Sequence, residues 1–320
     1  MARVTIVGAG QLGSRHLQAL QAVRQPLEIH VVDPSPQALK VAEERFLEAA
    51  SGIRHQVHFG GAFEPTGPID VAIVATTSAV RRAATERLLR ASPVRYLVLE
   101  KLLFDRPGDR GAFEKLLADR VTAWVNCPMR MMPAYETIRV EIGTGPVDYR
   151  VSGSRYGLVT NAIHYVDHVA HLSGCTDFSL DTRDVDAVPV PSKRPGFLEL
   201  NGRLVARFAD GSRCEVVCYP EGDAPTLVEI FTSARRYIVR ESAGRLWAAS
   251  SLDQWEWEER DARIPYQSEM TTQVVESLLE TGTCPLSPLA DSLRLHVSLL
   301  DPLLELLRAR QPGRDHYPFT

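Results

Sequence analysis

The hexapeptide Gly8-Ala9-Gly10-Gln11-Leu12-Gly13 and the acid Asp33 are the residues whose types and spacing point most directly to chemistry. Residues 3–7 before the glycines are rich in β-branched and apolar side chains, as in a buried parallel strand. Residues 14–23 follow with Leu17, Leu20 and Val23 on one helical stripe, and residues 27–32 form a second strand that ends at Asp33. Strand, glycine turn, helix, strand and an acid about 20 residues on is the dinucleotide-binding pattern. Gly8 permits the tight turn, Gly10 lets a pyrophosphate approach the backbone, and Gly13 lets the helix pack close to the sheet. Gln11 and Leu12 lie where the turn becomes a helix, whose N–H groups and dipole favour phosphate. Asp33 accepts hydrogen bonds from the adenosine ribose hydroxyls. A 2′-phosphate about 4 Å from it would be repelled by about 4 kcal/mol at an effective dielectric near 20. NAD is therefore expected rather than NADP, unless Lys40 or Arg45 folds back toward the site.

Other candidates lie further along. Thr76-Thr77-Ser78 closes an apolar strand at 70–75, and small hydroxyl residues at a strand end leave room for a cofactor. Helix capping by Thr77 or Ser78 is compatible with that role. Glu100-Lys101 closes the strand at 96–99, and charges are rarely placed at the end of a core strand without a purpose. His164, His168 and His171 share a helical stripe at i, i+4 and i+7. Three imidazoles can ligate zinc, but packing is the reading taken and no metal is expected. Arg130 and Arg155 together offer a clamp for a substrate carboxylate or phosphate.

The elements that must position these groups change character along the chain. Helices are expected at 37–50, 79–91 and 113–119, strands at 55–59 and 121–125, and a Gly- and Pro-rich loop at 60–68. Residues 1–126 thus alternate strand and helix, a doubly wound Rossmann-type α/β domain on a parallel sheet. A helix at 132–142 links to residues 127–320, read as an α+β domain with a large, open, mostly antiparallel sheet. Its strands are expected at 147–154, 179–188, 197–200, 203–209, 212–219, 226–232, 235–241 and 245–249. Asn201-Gly202 and Asp210-Gly211 are hairpin signals. A helix at 158–172 carries the histidines, and helices at 269–280 and 289–307 close the chain, the last free to pack back on the first domain. The tail from Gln311 is expected to be loose.

The 320 residues are 44% hydrophobic and 24% charged, with a net charge of −4 and a pI near 6.2. That balance suits two globular domains and offers no basic excess for nucleic acid. No apolar run approaches a membrane span. Met-Ala-Arg runs straight into a core strand, so no targeting peptide is expected. Five scattered cysteines fit a reducing cytoplasm, with Cys214 and Cys218 on the same side of one strand.

The glycine motif, Glu100-Lys101, the run from Asn126 through Arg130 to Pro133, His164 with Asp167, and the closing Ser287-Pro288-Leu289-Ala290-Asp291-Ser292 together resemble the Gfo/Idh/MocA oxidoreductases over nearly the whole chain. The resemblance implies NAD(P)-dependent hydride transfer at a hydroxyl or carbonyl carbon of a sugar, sugar derivative or related small molecule. Lys101 matches the lysine of the family's Glu-Lys-Pro motif and would stand beside the nicotinamide and the reacting oxygen, with Glu100 in the cofactor site. Leu102 replaces the proline. His164 matches the family's general acid/base, and an imidazole can exchange a proton near neutral pH. Asp167, one turn on, is placed to orient the imidazole or meet the substrate. Arg130 aligns with an arginine beside the substrate. The family's aspartate four residues before the histidine is Thr160 here: either His164 and Lys101 suffice, or Asn161 positions the substrate by hydrogen bonds, or the chemistry is altered or absent. A homodimer or homotetramer is implied. A non-catalytic NAD(H)-binding sensor or scaffold on the same fold is the second reading, since fold does not fix function.

Overall fold

The alternating apolar runs and helices of the first part of the chain wind into a parallel sheet in the computed structural model, which describes residues 1–49, 52, 54–64, 67–118 and 120–320. Ala50, Pro65, Thr66 and Asp119, included in the helices and loop expected above, lie outside those residues. In order come β1 (Ala2–Val7), α1 (Gln11–Leu20), β2 (Leu27–Val32), α2 (Pro36–Glu48), β3 (Gln56–Gly60), β4 (Ile69–Val74), α3 (Ser78–Ala91), β5 (Val94–Leu99), α4 (Asp109–Leu117) and β6 (Thr122–Val125). The six strands are parallel in the order β6-β5-β4-β1-β2-β3. The strand order reverses between β1 and β4, and the crevice at the carboxyl ends there is where open α/β sheets take ligands. Val4, Ile6, Val71, Val74, Leu97 and Leu99 are wholly buried, which is why the central strands tolerate so few polar residues. Ser35 caps α2 by accepting from the Ala38 N–H at 3.2 Å, with Pro36 in the first turn.

A 3₁₀ turn (Pro128–Met131) and α5 (Pro133–Ile142) lead into the second sheet. Its elements are β7 (Asp148–Ser154), α6 (Leu158–Ser173), β8 (Phe178–Pro191), β9 (Leu198–Phe208), β10 (Arg213–Tyr219), β11 (Leu227–Phe231), β12 (Arg235–Arg240), β13 (Arg245–Ser250) and β14 (Glu258–Asp261). The order is β14-β13-β12-β11-β7-β10-β9-β8, antiparallel except where β7 meets β10. Helix α6 packs on β9 and β10, buries Leu158, Ala162, Ile163 and Val166, and ends at Gly174 in the left-handed conformation. The fold is therefore α/β: a Rossmann-type parallel sheet and a largely antiparallel one.

The chain then returns. Helix α7 (Gln267–Thr281) packs on α1, and β15 (Ser287–Pro288) adds an antiparallel edge to β6. Residues Met1–Phe104, Gly108–Asn126 and Pro265–Leu289 cluster as one unit. Asp105–Pro107, Cys127–Ile264 and Ala290–Thr320 cluster as the other, which takes nearly all of α8 (Leu289–Arg308). The segment 265–289, grouped with the second domain on sequence, thus belongs with the first sheet.

Two local expectations are corrected. Asn201-Gly202 is not a turn: β9 runs straight through it. The pairing of β8 with β9 shifts register on either side of the Asp184–Asp186 stretch, and a Cβ on Gly202 (φ +101°) would strike the Asp184 carbonyl there. The glycine serves close strand approach at a bulge instead. Asp210-Gly211 does form the hairpin turn, between β9 and β10. The tail is also not loose at its end. Tyr317 and Phe319 are buried, and the Pro318 carbonyl accepts from Leu198 N–H at 2.7 Å. Two aromatic side chains bury enough apolar surface to fix a segment whose prolines and polar residues read as mobile.

Candidate functional site

The glycine turn leaves no room for side chains at two of its positions. Gly8 adopts φ +92°, and a Cβ on it would press on the Ala75 carbonyl and the Thr76 nitrogen at 3.0–3.1 Å. A Cβ on Gly13 would collide with the Gly8 carbonyl oxygen. Gly10 is the N-cap of α1, with no side chain capping the helix and no acid in its first turn. Gln11, Leu12 and Gly13 therefore present an uncapped, positive helix end. Asp33 accepts from the Ala9 N–H at 2.7 Å and the Ser35 N–H at 2.8 Å, which fixes its carboxylate beside the turn. Arg45 does fold back: its guanidinium reaches the Ser14 hydroxyl at 2.5 Å and the Gln11 side-chain oxygen at 3.0 Å. That places a cation beside the first turn of α1.

At the adjoining strand ends, Thr76 carries a buried hydroxyl with no hydrogen-bond partner. Thr77 is the N-cap of α3 but its side chain makes no capping bond, so capping does not account for its hydroxyl. Fully buried Arg81 ties this region together by donating to the Thr76 and Leu102 carbonyls. The orphaned Thr76 hydroxyl, the side-chain-free cradle at Gly8 and Gly13, and the uncapped helix end fit a bound dinucleotide.

Glu100 is not open to a cofactor in the way its position suggested. It is buried, and accepts from His16 Nε2 at 2.9 Å and Asn126 Nδ2 at 2.5 Å. Asn126 also donates to Gln267 at 2.9 Å, and His16 Nδ1 meets the Thr271 hydroxyl at 2.8 Å. Burial alone would raise the Glu100 pKa, but His16, Asn126 and the Lys101 ammonium outweigh it and bring it down to about 2. A fixed carboxylate thus precedes half-buried Lys101. The Lys101–Leu102 peptide bond is cis. His16, Thr271 and Gln267 were not found from sequence. Their only signal was polarity on otherwise apolar stripes.

In the other unit, His164 is half-buried on the second turn of α6. Asp167 is fully buried and paired with Arg130: Nε to Oδ2 at 2.6 Å and Nη2 to Oδ1 at 2.8 Å. Arg130 therefore already holds a carboxylate from its own chain. Arg155 (φ +49°) spends Nε and Nη2 on the Gly222 carbonyl at 3.0 and 2.8 Å. The two guanidiniums of the expected clamp hold different partners. The Asn161 amide donates to the Tyr156 and Gly157 carbonyls at 2.7 and 3.1 Å and closes the turn before α6.

A carboxylate does reach Thr160, from a distant strand. Glu199 on β9 accepts from the Val159 N–H at 2.9 Å, the Thr160 N–H at 3.1 Å and the Thr160 hydroxyl. Burial raises its pKa despite those hydrogen bonds. It caps α6 and brings an acid to the turn before His164. No local pattern marked it, since its partners lie about forty residues away.

His168 and His171 do not join His164 in a metal cluster. His168 is buried, with Nδ1 3.0 Å from the Tyr149 hydroxyl and its ring edge-on to Tyr135 and Tyr149. Burial, with help from His171 and Arg130, pushes its pKa well below the ordinary value. Burial and the Arg130 and Arg139 charges bring His171 down to about 4. Both rings stay neutral in the folded unit while the unfolded chain gains protons below about pH 6.5. Stability contributed by these groups is present above that pH and lost as pH falls toward 4. Urea midpoints are expected to fall across pH 6.5 to 4, with His171 accounting for roughly 1–3 kcal/mol. Glu199, raised rather than lowered, acts in the opposite sense at the lower end. The discriminating measurement is therefore the comparison with His171→Gln, whose midpoint should depend less steeply on pH than that of the wild type.

No protein-family model and no curated protein matches the chain by sequence. Solved structures match its fold over almost all of its length. An oxidoreductase from Agrobacterium radiobacter, in complex with NAD+, L-tartaric acid and magnesium, superposes with a TM-score of 0.72 at 18% identity, covering 98% of this chain and 97% of that one. Biliverdin reductase from Synechocystis sp. PCC 6803, with biliverdin and NADP+, gives 0.71 at 15% identity, covering 95% and 98%. UDP-N-acetylglucosamine 3-dehydrogenase GnnA from Acidithiobacillus ferrooxidans gives 0.69 at 15% identity, covering 94% and 96%. At such identities the likeness is one of fold: a Rossmann-type unit followed by a unit built on a large, mostly antiparallel sheet. Among the described residues no helix is long and apolar enough to cross a membrane.

Proposed function

We propose that this protein is an NAD-dependent oxidoreductase of the Gfo/Idh/MocA type. It would pass hydride between the nicotinamide and a hydroxyl- or carbonyl-bearing carbon of a sugar, sugar derivative or related small polar molecule. The observation that carries this reading is the glycine turn, with its uncapped helix end and anchored Asp33. Gly8, Gly10, Gln11, Leu12 and Gly13 would hold the pyrophosphate, Asp33 the adenosine ribose, and Thr76 and Thr77 the cofactor where it crosses the end of β4. When bound, the nicotinamide supplies or accepts the hydride. Lys101 favours negative charge on the reacting oxygen, and His164 gives or takes its proton. Asp33 supports NAD over NADP, though Arg45 lies close enough to the turn to soften that preference. Names borne by proteins of the same fold support an oxidoreductase class, and the substrates in those names differ widely.

Titration with NADH, followed by nicotinamide fluorescence, tests the cofactor assignment. Saturable one-to-one binding is expected, tighter for NADH than for NADPH. Gly13→Ala, which forces the first turn of α1 off the Gly8 carbonyl, should weaken it at least tenfold. Overpacking of this kind costs about 1–3 kcal/mol. Absence of binding by the wild type would remove the assignment. A panel of keto-sugars, keto acids and nucleotide sugars then tests the reaction. Tight NADH binding without turnover on any of them would support the second reading, a nucleotide-binding sensor. The observation favouring that reading is Thr160 at a position where the resembled family carries an aspartate.

A further inference from the structure

The first sheet carries a polar cluster on a strand face, away from the glycine turn. His30 on β2 and His58 on β3 are register partners in parallel strands, and Glu28 lies two residues before His30. Side chains two apart on a strand share a face, so all three project to the same side. The opposite face of β2 carries Leu27, Ile29 and Val31, each wholly buried. The imidazoles of His30 and His58 stack with centroids 4.9 Å apart, and Glu28 Oε1 is 2.9 Å from His30 Nε2. One potential ligand atom from each of the three residues lies within 4.8 Å of the others, and this is the one such cluster of three among the described residues.

The surroundings are built for more than a chance cluster. Among the described residues no helix lies between β3 and β4. The strand face is left beside a cavity of about 200 Å³, lined by Thr5, His30, His58, Phe63, Leu88 and Ser92 among others. Thr5, register partner of His30 on β1, is buried, lines that cavity, and its hydroxyl has no hydrogen-bond partner. Arg3 holds Glu28 through two hydrogen bonds at 2.9 and 3.1 Å. A carboxylate has about four acceptor sites, so Arg3 can keep and orient Glu28 while a free lone pair turns toward a metal. Partners of this outer kind commonly position metal ligands.

We propose that Glu28, His30 and His58 form a binding site for a divalent zinc-class cation, with a fourth position open to the cavity. Two imidazoles and one carboxylate is an established donor set for zinc, with ligand bonds of about 2.0–2.2 Å. Tetrahedral geometry at those lengths places ligand atoms about 3.3 Å apart. The present spacing closes to that by side-chain rotation of exposed His58. The metal would pin the edge strand β3 to β2.

The test uses the full chain stripped with a chelator, then titrated with zinc chloride against a chromophoric zinc indicator. One equivalent should bind to the wild type, and the melting temperature should rise with it. His58→Ala should weaken zinc binding by more than the roughly 10–100-fold that loss of an outer partner costs. Its melting temperature in chelator should equal that of the wild type, because His58 is an exposed edge-strand residue. Failure of the wild type to retain an equivalent of zinc would overturn the proposal, and so would equal zinc affinity in His58→Ala.

Discussion

Lys101→Ala and His164→Ala are each expected to lower kcat for NADH-dependent carbonyl reduction by about 10²–10⁴-fold. Binding of NADH should stay within a few-fold of wild type. Lys101 follows Glu100 at the carboxyl end of β5, in the row of strand ends where ligands of open α/β sheets lie. The Glu100 carboxylate is fixed by His16 and Asn126, so the backbone that carries Lys101 has little freedom. In the proposed reaction a positioned ammonium would stabilise charge on oxygen without reorganising, so its loss should be read in kcat. His164 sits on α6, whose N-terminus Glu199 secures through three hydrogen bonds. In the proposed reaction, removing its imidazole would leave only the slower proton exchange with water. If both act on the same oxygen, the double variant should be little slower than the worse single one, because groups acting as a unit are not additive. The measurement is loss of reduced-nicotinamide absorbance at saturating cofactor. Turnover unchanged in either variant would exclude that residue from the chemistry.

The parts of the fold that were legible in the sequence are those set by neighbours in the chain. The glycine turn, the helix after it and the strand to Asp33 obey local rules, since φ at Gly8 and close packing at Gly13 are demands on single positions. The apolar strands β4 and β5 are similarly plain, because a buried parallel strand admits little else. Misreadings arose where a distant partner decides. Asn201-Gly202 carries a hairpin's residues, yet β8 pairs across it and turns the glycine to a bulge. The polar tail is fixed by Tyr317 and Phe319, and a terminal segment's burial depends on the cavity it meets. Of the candidate residues, Lys101 stood out by its place after a core strand and His164 by resemblance alone. The groups that fix their surroundings did not: Glu100 is 84 residues from His16 and Glu199 is 39 from Thr160. A sequence shows that a polar residue sits on an apolar stripe, and only the fold shows what satisfies it.

Arg130→Met is expected to destabilise the protein by about 3–5 kcal/mol, a larger loss than most single substitutions cause. Arg130 and Asp167 are both buried, and the guanidinium forks onto both carboxylate oxygens. Burying two charges is costly, and the pair offsets that cost only while both members are present. Methionine fills much of the volume but takes the guanidinium away from the buried Asp167 carboxylate on α6. Asp167→Leu alone strands the guanidinium in the same way. The double variant Arg130→Met/Asp167→Leu removes both charges together and should recover most of the lost stability, since apolar replacements of buried pairs are often neutral or stabilising. Urea unfolding of the four proteins completes the cycle, and a coupling energy of at least about 2 kcal/mol is expected for groups in direct contact. The cycle also separates two roles for Arg130. A clamp on substrate would weaken binding of acid-bearing molecules while leaving the unfolding midpoint in place. A structural partner of Asp167 shifts the midpoint whether or not a substrate is present, and additive losses in the double variant would contradict the pairing.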